Sequence, residues 1–162
     1  MKVCVLGAGI MGSGIAQLAG MAGDDVVMRD VDDAALERAY AAIDKSLARF
    51  VKAGRLTEEE ARAARSRVRG TTQLEEAVSD AEVVIEAVPE VLELKQELWH
   101  EVVRLAPADA LLGTNTSQLS ITRIASALGD DAWRLAGTHF FNPPVMMRLV
   151  ELIAGLLTTE EV

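Results

Sequence analysis

Gly7, Gly9 and Gly12 stand in the pattern G-x-G-x-x-G, directly after a short apolar run from Lys2 to Leu6. Asp30 closes a second apolar run, 23 residues after Gly7. A strand, a glycine turn, a helix and an acid in that order suit a dinucleotide. Gly7 permits the tight turn. Gly9 lets the backbone approach a pyrophosphate with no Cβ in the way, and Gly12 lets the helix pack close to the strand. The exposed N–H groups of the turn, at Ile10 and Met11 among others, act with the helix dipole to hold the anion. Asp30 would accept hydrogen bonds from ribose hydroxyls and repel a 2′-phosphate, which selects NAD over NADP. Strand alternation puts Arg29 on the side away from Asp30.

A second chemistry is written near the other end. The chain has two histidines. His100 lies among Glu97, Glu101 and Arg104 and reads as a solvated helix residue. His139 ends the run Leu135-Ala136-Gly137-Thr138 and precedes Phe140-Phe141-Asn142-Pro143-Pro144. Ligands in open α/β sheets lie beyond the carboxyl ends of strands, where His139 would sit. Glu151 is flanked by apolar residues on both sides and needs a partner if buried. A carboxylate bonded to one imidazole nitrogen fixes the tautomer and raises the basicity of the other. Such a pair can take a proton from a hydroxyl as hydride leaves for a nicotinamide. The spacing alone leaves a strand-end histidine and an edge-strand glutamate as the alternative.

The elements that must position these groups follow from periodicity. Lys2–Leu6, Val26–Met28, Val83–Val88, Ala110–Thr114, Arg134–Phe140 and Arg148–Ile153 read as strands, with Thr71-Thr72 a brief further candidate. Helices are expected from Gly12 to about Gly23, over Leu92–Leu105 with Leu94, Leu98, Val102 and Leu105 inward, and over Ile121–Leu128. Between about 33 and 69 the pattern is a helical hairpin. Leu36, Tyr40, Ile43, Leu47 and Phe50 recur at helical spacing, and Thr57 with Glu60 forms a capping box. The hairpin is too long for an ordinary crossover and is expected to project from the sheet. Strands alternating with helices imply βαβ units and a parallel sheet.

Composition bounds the function. The 162 residues are 50% hydrophobic, enough for a core and against disorder. Net charge is -9, from 16 basic and 25 acidic residues, which argues against nucleic acid or an anionic membrane as partner. The single Cys4 lies in an apolar strand, so it reads as core, and neither a disulfide nor a zinc ribbon is expected. No metal site is implied. With no membrane-length apolar run and no leader pattern, the expectation is a cytoplasmic-type domain.

Five ordered stretches carry a resemblance. They are Gly7–Ala16; Val84–Glu90 with Leu94-Lys95; Thr114–Ser117; Gly137–Pro143; and Leu149–Glu151. The chain resembles the N-terminal domain of L-3-hydroxyacyl-CoA dehydrogenases, including 3-hydroxybutyryl-CoA dehydrogenases, over essentially its whole length. The resemblance implies a Rossmann-type doubly wound, mostly parallel sheet over residues 1–162, NAD as cofactor and an acyl-CoA substrate. It implies that His139 is the catalytic base and Glu151 its partner. Ser117 would lie between substrate and nicotinamide, with Asn142 beside the reacting centre. Glu90 and Lys95 would line the cofactor site, Lys95 near the ribose or carboxamide end. The hairpin corresponds to an arm that meets coenzyme A, with Ser46 and Lys52 as candidates there. Arg62, Arg65, Arg67 and Arg69 could hold CoA phosphates, although a solvated helix face is the simpler account. Gln118 departs from a second serine, and the segment from Ser117 to His139 is about one residue long for the family. The chain is also expected to stop before the end of the sheet and before the helical domain through which family members dimerise. Two other readings stay open: a hydroxy sugar-acid dehydrogenase, as in gulonate dehydrogenase or lambda-crystallin relatives, and a catalytically silent NAD-binding module.

Overall fold

β1 (Lys2–Leu6) carries Val3, Cys4, Val5 and Leu6, all buried, and pairs in parallel with β2 (Asp25–Arg29) on one side and β4 (Val83–Glu86) on the other. A strand sandwiched on both faces has no place for an outward polar residue, which explains its unbroken apolar run. The computed structural model describes residues 1–162. β3 (Val68–Thr71), β5 (Leu111–Thr114), β6 (Leu135–Phe140) and β7 (Val150–Ala154) complete a sheet in the order β3-β2-β1-β4-β5-β6-β7. All pairings are parallel except β6 with β7. The order turns back at β1, so the crevice between β1 and β4 is the switch point at which such sheets bind ligands.

Two apolar clusters cover the two faces. On one, Val3, Val5 and Met28 pack under Ile15 and Ala16 of α1 (Ile10–Ala22) and Leu36, Ile43 and Leu47 of α2 (Asp33–Lys52). On the other, Cys4, Leu6 and Val84 meet Leu98, Trp99 and Val102 of α5 (Leu92–Leu105) and Ile124 of α6 (Ile121–Ala125). Burial pushes the Cys4 thiol up to about 12, in keeping with an unreactive core residue.

The hairpin is α2 with α3 (Glu58–Ser66), and α3 starts at the expected capping box. It does not stand clear of the sheet. Ala61 and Ala64 are buried, and a Cβ on Gly20 would meet the Ala64 carbonyl at 2.8 Å, so α3 lies directly on α1. Small residues on both helices allow that approach, and they are less conspicuous in sequence than large ones. β3 also begins earlier than expected, at Val68, and ends at Thr71. Its first residues follow an arginine-rich helix and read as more helix. After a short α4 (Leu74–Val78) and α5–β5–α6, a 3-10 segment covers Ser126–Arg134. Arg134 belongs to it rather than to β6; its guanidinium is buried, donating to the carbonyls of Pro107 and Ala110. β7 is displaced by two residues from the expected start, and its outward residues, Leu152 among them, are exposed, as is Leu156 beyond it. No helix is long and apolar enough to cross a membrane.

Candidate functional site

The glycine turn joins β1 to α1 at the switch point. Gly7 has φ +103°, a left-handed conformation, and a Cβ there would meet the Ala87 carbonyl at 2.7 Å. A Cβ on Gly12 would lie 1.8 Å from the Gly7 carbonyl oxygen. On Gly9 it would meet nothing within 4 Å. Two glycines are therefore demanded by the protein's own packing, whereas the third opens onto free space. Gly9 caps α1 without a side-chain bond, and no acid occupies the first turn. The N–H groups of Ile10 and Met11 are thus available to an anion. Asp30 accepts from the Ala8 N–H at 2.8 Å and, through its other oxygen, from the Val31 N–H at 2.8 Å. The carboxylate both staples the turn and stands at the rim of a groove of about 770 Å³. Gly7, Gly9, Ile10, Met11, Asp30, Val88 and Pro89 line it. This cradle fits a dinucleotide: free amides for a pyrophosphate, an open approach at Gly9, and an acid at the far end for ribose hydroxyls.

Two expectations change here. Arg29 lines the same groove as Asp30, with its Nε donating to the Thr72 carbonyl at 3.4 Å, because the chain leaves the strand after Arg29 and alternation no longer separates the two. Leu94 is 40% exposed and lines the groove, so the apolar stripe of α5 faces partly into the site rather than wholly into the core.

The second group assembles at the same sheet edge. Because β7 runs antiparallel, its beginning lies beside the end of β6, and His139 and Glu151 are register partners. His139 Nδ1 lies 2.8 Å from Glu151 Oε2, and Nε2 lies 3.1 Å from the Ser117 hydroxyl. A carboxylate only accepts, so Nδ1 donates to Glu151, and in the neutral ring Nε2 then presents a lone pair to the Ser117 side. The Phe141 ring packs on the imidazole with centroids 4.7 Å apart. The Phe140 N–H donates to the Asn115 side chain at 2.8 Å, tying the end of β6 to the loop after β5. The His139 side chain is 19% exposed and that of Glu151 48%, so Nε2 is reachable from one side. Asn142 is exposed three residues beyond His139, close in the chain but outside this relay.

Below it lies a polar network that sequence reasoning did not find. Glu86 at the end of β4 is 0% exposed and Lys95 of α5 1%, with Nζ 2.5 Å from Glu86 Oε1. The other Glu86 oxygen accepts from the Thr114 hydroxyl at 2.7 Å, and Oε1 also accepts from the Val88 N–H at 2.9 Å. Lys95 reaches Glu90 as well, at 3.3 Å. Lys95 therefore does not line the cofactor groove; it lies behind the wall, held by two carboxylates. Glu90 accepts from the Thr116 hydroxyl and from the N–H groups of Ser117 at 3.1 Å and Gln118 at 3.2 Å. Burial pushes the Glu90 carboxyl up, but the Thr116 hydroxyl, the Lys95 charge and the Gln118 N–H outweigh it and hold it below the usual carboxylate range. Glu86 was hidden because a lone acid at a strand end looks solvated; the lysine nine residues on was the available signal.

The hairpin candidates separate. Lys52 lies in a groove between α2 and α3 with Arg62 and Arg65, while Ser46 does not line it. Ser46 instead shares a face with Phe50 one turn on. Phe50 lines a different groove of about 760 Å³, with Leu18, Arg55, Met146, Met147 and Val150. The arginines are likewise divided. Arg65 pairs with Asp44 and stacks on Tyr40, and Arg69 pairs with Glu76. They do not form one basic patch. His100 is exposed on α5, as read from the sequence.

The family model for the 3-hydroxyacyl-CoA dehydrogenase NAD binding domain matches residues 2–162. A 3-hydroxybutyryl-CoA dehydrogenase of Bradyrhizobium diazoefficiens is 42% identical over 159 residues, covering 98% of this chain and 54% of that protein. The 3-hydroxyadipyl-CoA dehydrogenase of Escherichia coli is 41% identical over 160 residues, covering 99% of this chain and 33% of that one. A solved 3-hydroxybutyryl-CoA dehydrogenase from Escherichia coli K12 superposes with a TM-score of 0.95 at 40% identity, over 99% of this chain and 34% of the other. The chain spans about half the length of the Bradyrhizobium diazoefficiens and Bacillus subtilis relatives and about a third of the Escherichia coli ones. With the glycine cradle, the acid at its rim and a match across nearly every residue, the chain belongs to the NAD-binding domain family of the 3-hydroxyacyl-CoA dehydrogenases, whose cofactor is NAD.

Proposed function

We propose that this domain supplies the cofactor site and the acid–base relay of an enzyme that interconverts L-3-hydroxyacyl-CoA and 3-ketoacyl-CoA. The observation that carries the reading is the aligned set Ser117–His139–Glu151 on the sheet edge that also holds the glycine cradle. NAD, when bound, accepts the hydride. The turn N–H groups of Ile10 and Met11 would hold its pyrophosphate and Asp30 its ribose hydroxyls. His139 Nε2 takes the proton of the substrate 3-hydroxyl. Glu151 keeps the ring oriented and stabilises the imidazolium that forms, and the Ser117 hydroxyl marks where the substrate oxygen sits. Asn142, exposed at the same edge, is assigned to the substrate side.

The acyl-CoA lies in the groove between Phe50 and Arg55 of the hairpin and Met146 and Met147 of the loop before β7. That groove is mainly apolar, with Arg55 and Arg148 also in its lining, suited to a pantetheine arm and a phosphate. Ser46 is placed near it, one turn from Phe50. Lys52 is assigned no contact, since it faces the α2–α3 groove instead. Dimerisation through a further helical domain and a cytoplasmic location complete the reading.

Fluorescence titration of the chain with NADH is expected to saturate. Acetoacetyl-CoA should drive NADH oxidation, slowly in the 162-residue chain and faster in a form carrying the family's helical domain, which would help exclude water. Preference for a keto sugar acid over acetoacetyl-CoA would overturn the substrate; absence of NADH binding would overturn the site.

A further inference from the structure

Ser117 sits on the loop after β5; the Asn115–Phe140 bond brings the start of that loop to the end of β6 but does not hold residues 116–119. α6 starts only at Ile121, and the residues before it have no regular structure. What holds them is Glu90, at the other side of the site. One carboxylate oxygen accepts from the Thr116 hydroxyl and from two consecutive N–H groups, Ser117 and Gln118. The Thr116 hydroxyl accepts in turn from the Leu119 N–H at 3.0 Å, so four successive residues hang from one acid. Glu90 itself is on no helix or strand, and its side chain is 37% exposed. Its second oxygen is drawn to Lys95, which cannot move away, since burial and the Glu86 carboxylate fix it on the core side. A lysine that is 1% exposed must keep its charge partnered.

We propose that Glu90 is a positioning residue, an anionic clamp anchored by the buried Lys95–Glu86 pair, that sets the Ser117 hydroxyl against His139. The inference rests on the reading of His139 as the base only for the clamp's purpose; the clamp itself is a claim about the loop. It gives Glu90 a role in the protein's own bonding, with 37% of its side chain still exposed at the site. Bonds from neutral donors to a charged acceptor are among the stronger ones, and here several converge on one atom. The same bonds occupy the two N–H groups beside the serine, so they are not free to stabilise an oxyanion. Ser117, His139 and Glu151 have the layout of a hydrolytic triad, and the clamp leaves that layout without an oxyanion site.

The test exploits the presence of only two histidines in the chain. The full chain is labelled with 15N, and the imidazole resonances are compared in wild type, Glu90→Ala and Glu90→Gln, with His100→Gln to assign the spectrum. In Glu90→Ala the His139 Nε2 resonance should leave its wild-type position while Nδ1, bonded to Glu151, stays. Amide exchange at Ser117 and Gln118 should quicken about tenfold or more, as loss of a charge-assisted bond implies. Glu90→Gln keeps an acceptor oxygen and should recover part of both effects. The clamp is overturned if Glu90→Ala leaves Nε2 and the two amides unchanged. It is equally overturned if Nδ1 moves as far as Nε2, which would mean general loosening. Neither readout needs turnover: absence of NADH binding in the wild type with these shifts intact would remove the proposed function and leave the clamp standing.

Discussion

The two ends of the site are built from different materials. At the β1–α1–β2 end the working groups are backbone amides, and the side chains that matter are mostly absent ones: Gly7, Gly9 and Gly12. At the β5–β6–β7 end the working groups are side chains, Ser117, His139 and Glu151, each on a different element. Backbone amides are placed by the fold itself, so the first end tolerates little change in shape and much in side-chain chemistry. Side-chain groups are placed by neighbours such as Glu90 and Phe141, so the second end is separable from folding.

The largest effect expected from that contrast is at His139. Replacement by alanine should lower turnover of acetoacetyl-CoA by about 10²–10⁴-fold, the usual worth of a general base, while melting temperature and NADH affinity stay near wild type. Steady-state kinetics beside an NADH titration checks this. Joint loss of both would make His139 structural and erase the contrast.

Gly12→Ala comes next. Its Cβ would sit 1.8 Å from the Gly7 carbonyl oxygen, an approach that requires backbone to move. We expect a loss of about 3 kcal/mol or more in urea unfolding, together with weakened NADH binding. Gly9→Ala is the sharper member of the pair. Its φ of -71° suits any residue and its Cβ meets open space, so stability should stay within about 0.5 kcal/mol. NADH affinity should still fall about tenfold, because the methyl would occupy the approach of the pyrophosphate. Equal loss of stability at both glycines would show that the turn serves packing alone.

The smallest effect is a pH dependence at Glu90. Its carboxyl titrates below the ordinary carboxylate value in the folded chain. The stabilisation it provides is therefore complete above the unfolded value and is lost as pH falls through the lower, folded one. Melting curves of wild type and Glu90→Gln should differ at neutral pH and converge on the acid side. A difference that grows on acidification would contradict the sign.

The same contrast explains what could be read from the amino acids alone. The cofactor end was legible because strand, turn, helix and acid follow one another within thirty residues, and each glycine has a local reason. His139 and Glu151 could be paired only as a possibility, since their meeting depends on β7 running antiparallel. The Glu86–Lys95 pair was not found: the resemblance put Lys95 at the cofactor site, and its nine-residue spacing from Glu86 does not by itself say that both face inward. Leu94 misled in the opposite sense, since an apolar stripe reports a dry surface without saying whether core or ligand covers it. The start of β3 was hidden by arginines that continue the helical pattern of α3.

The antiparallel return of β7 has a kinetic consequence. His139 and Glu151 are separated by 12 residues, whereas Ser117 and His139 are 22 apart across a helical crossover. Closing the shorter loop costs less chain entropy, and contacts of low sequence separation form early. The base and its acid thus belong to a near-local hairpin that can form as one piece, and the serine is delivered to it from a separate segment. Length changes at the exposed Gly129-Asp130 turn of that crossover can re-aim the hydroxyl while leaving the proton-accepting pair untouched, because much of the rest of the crossover is packed into the core.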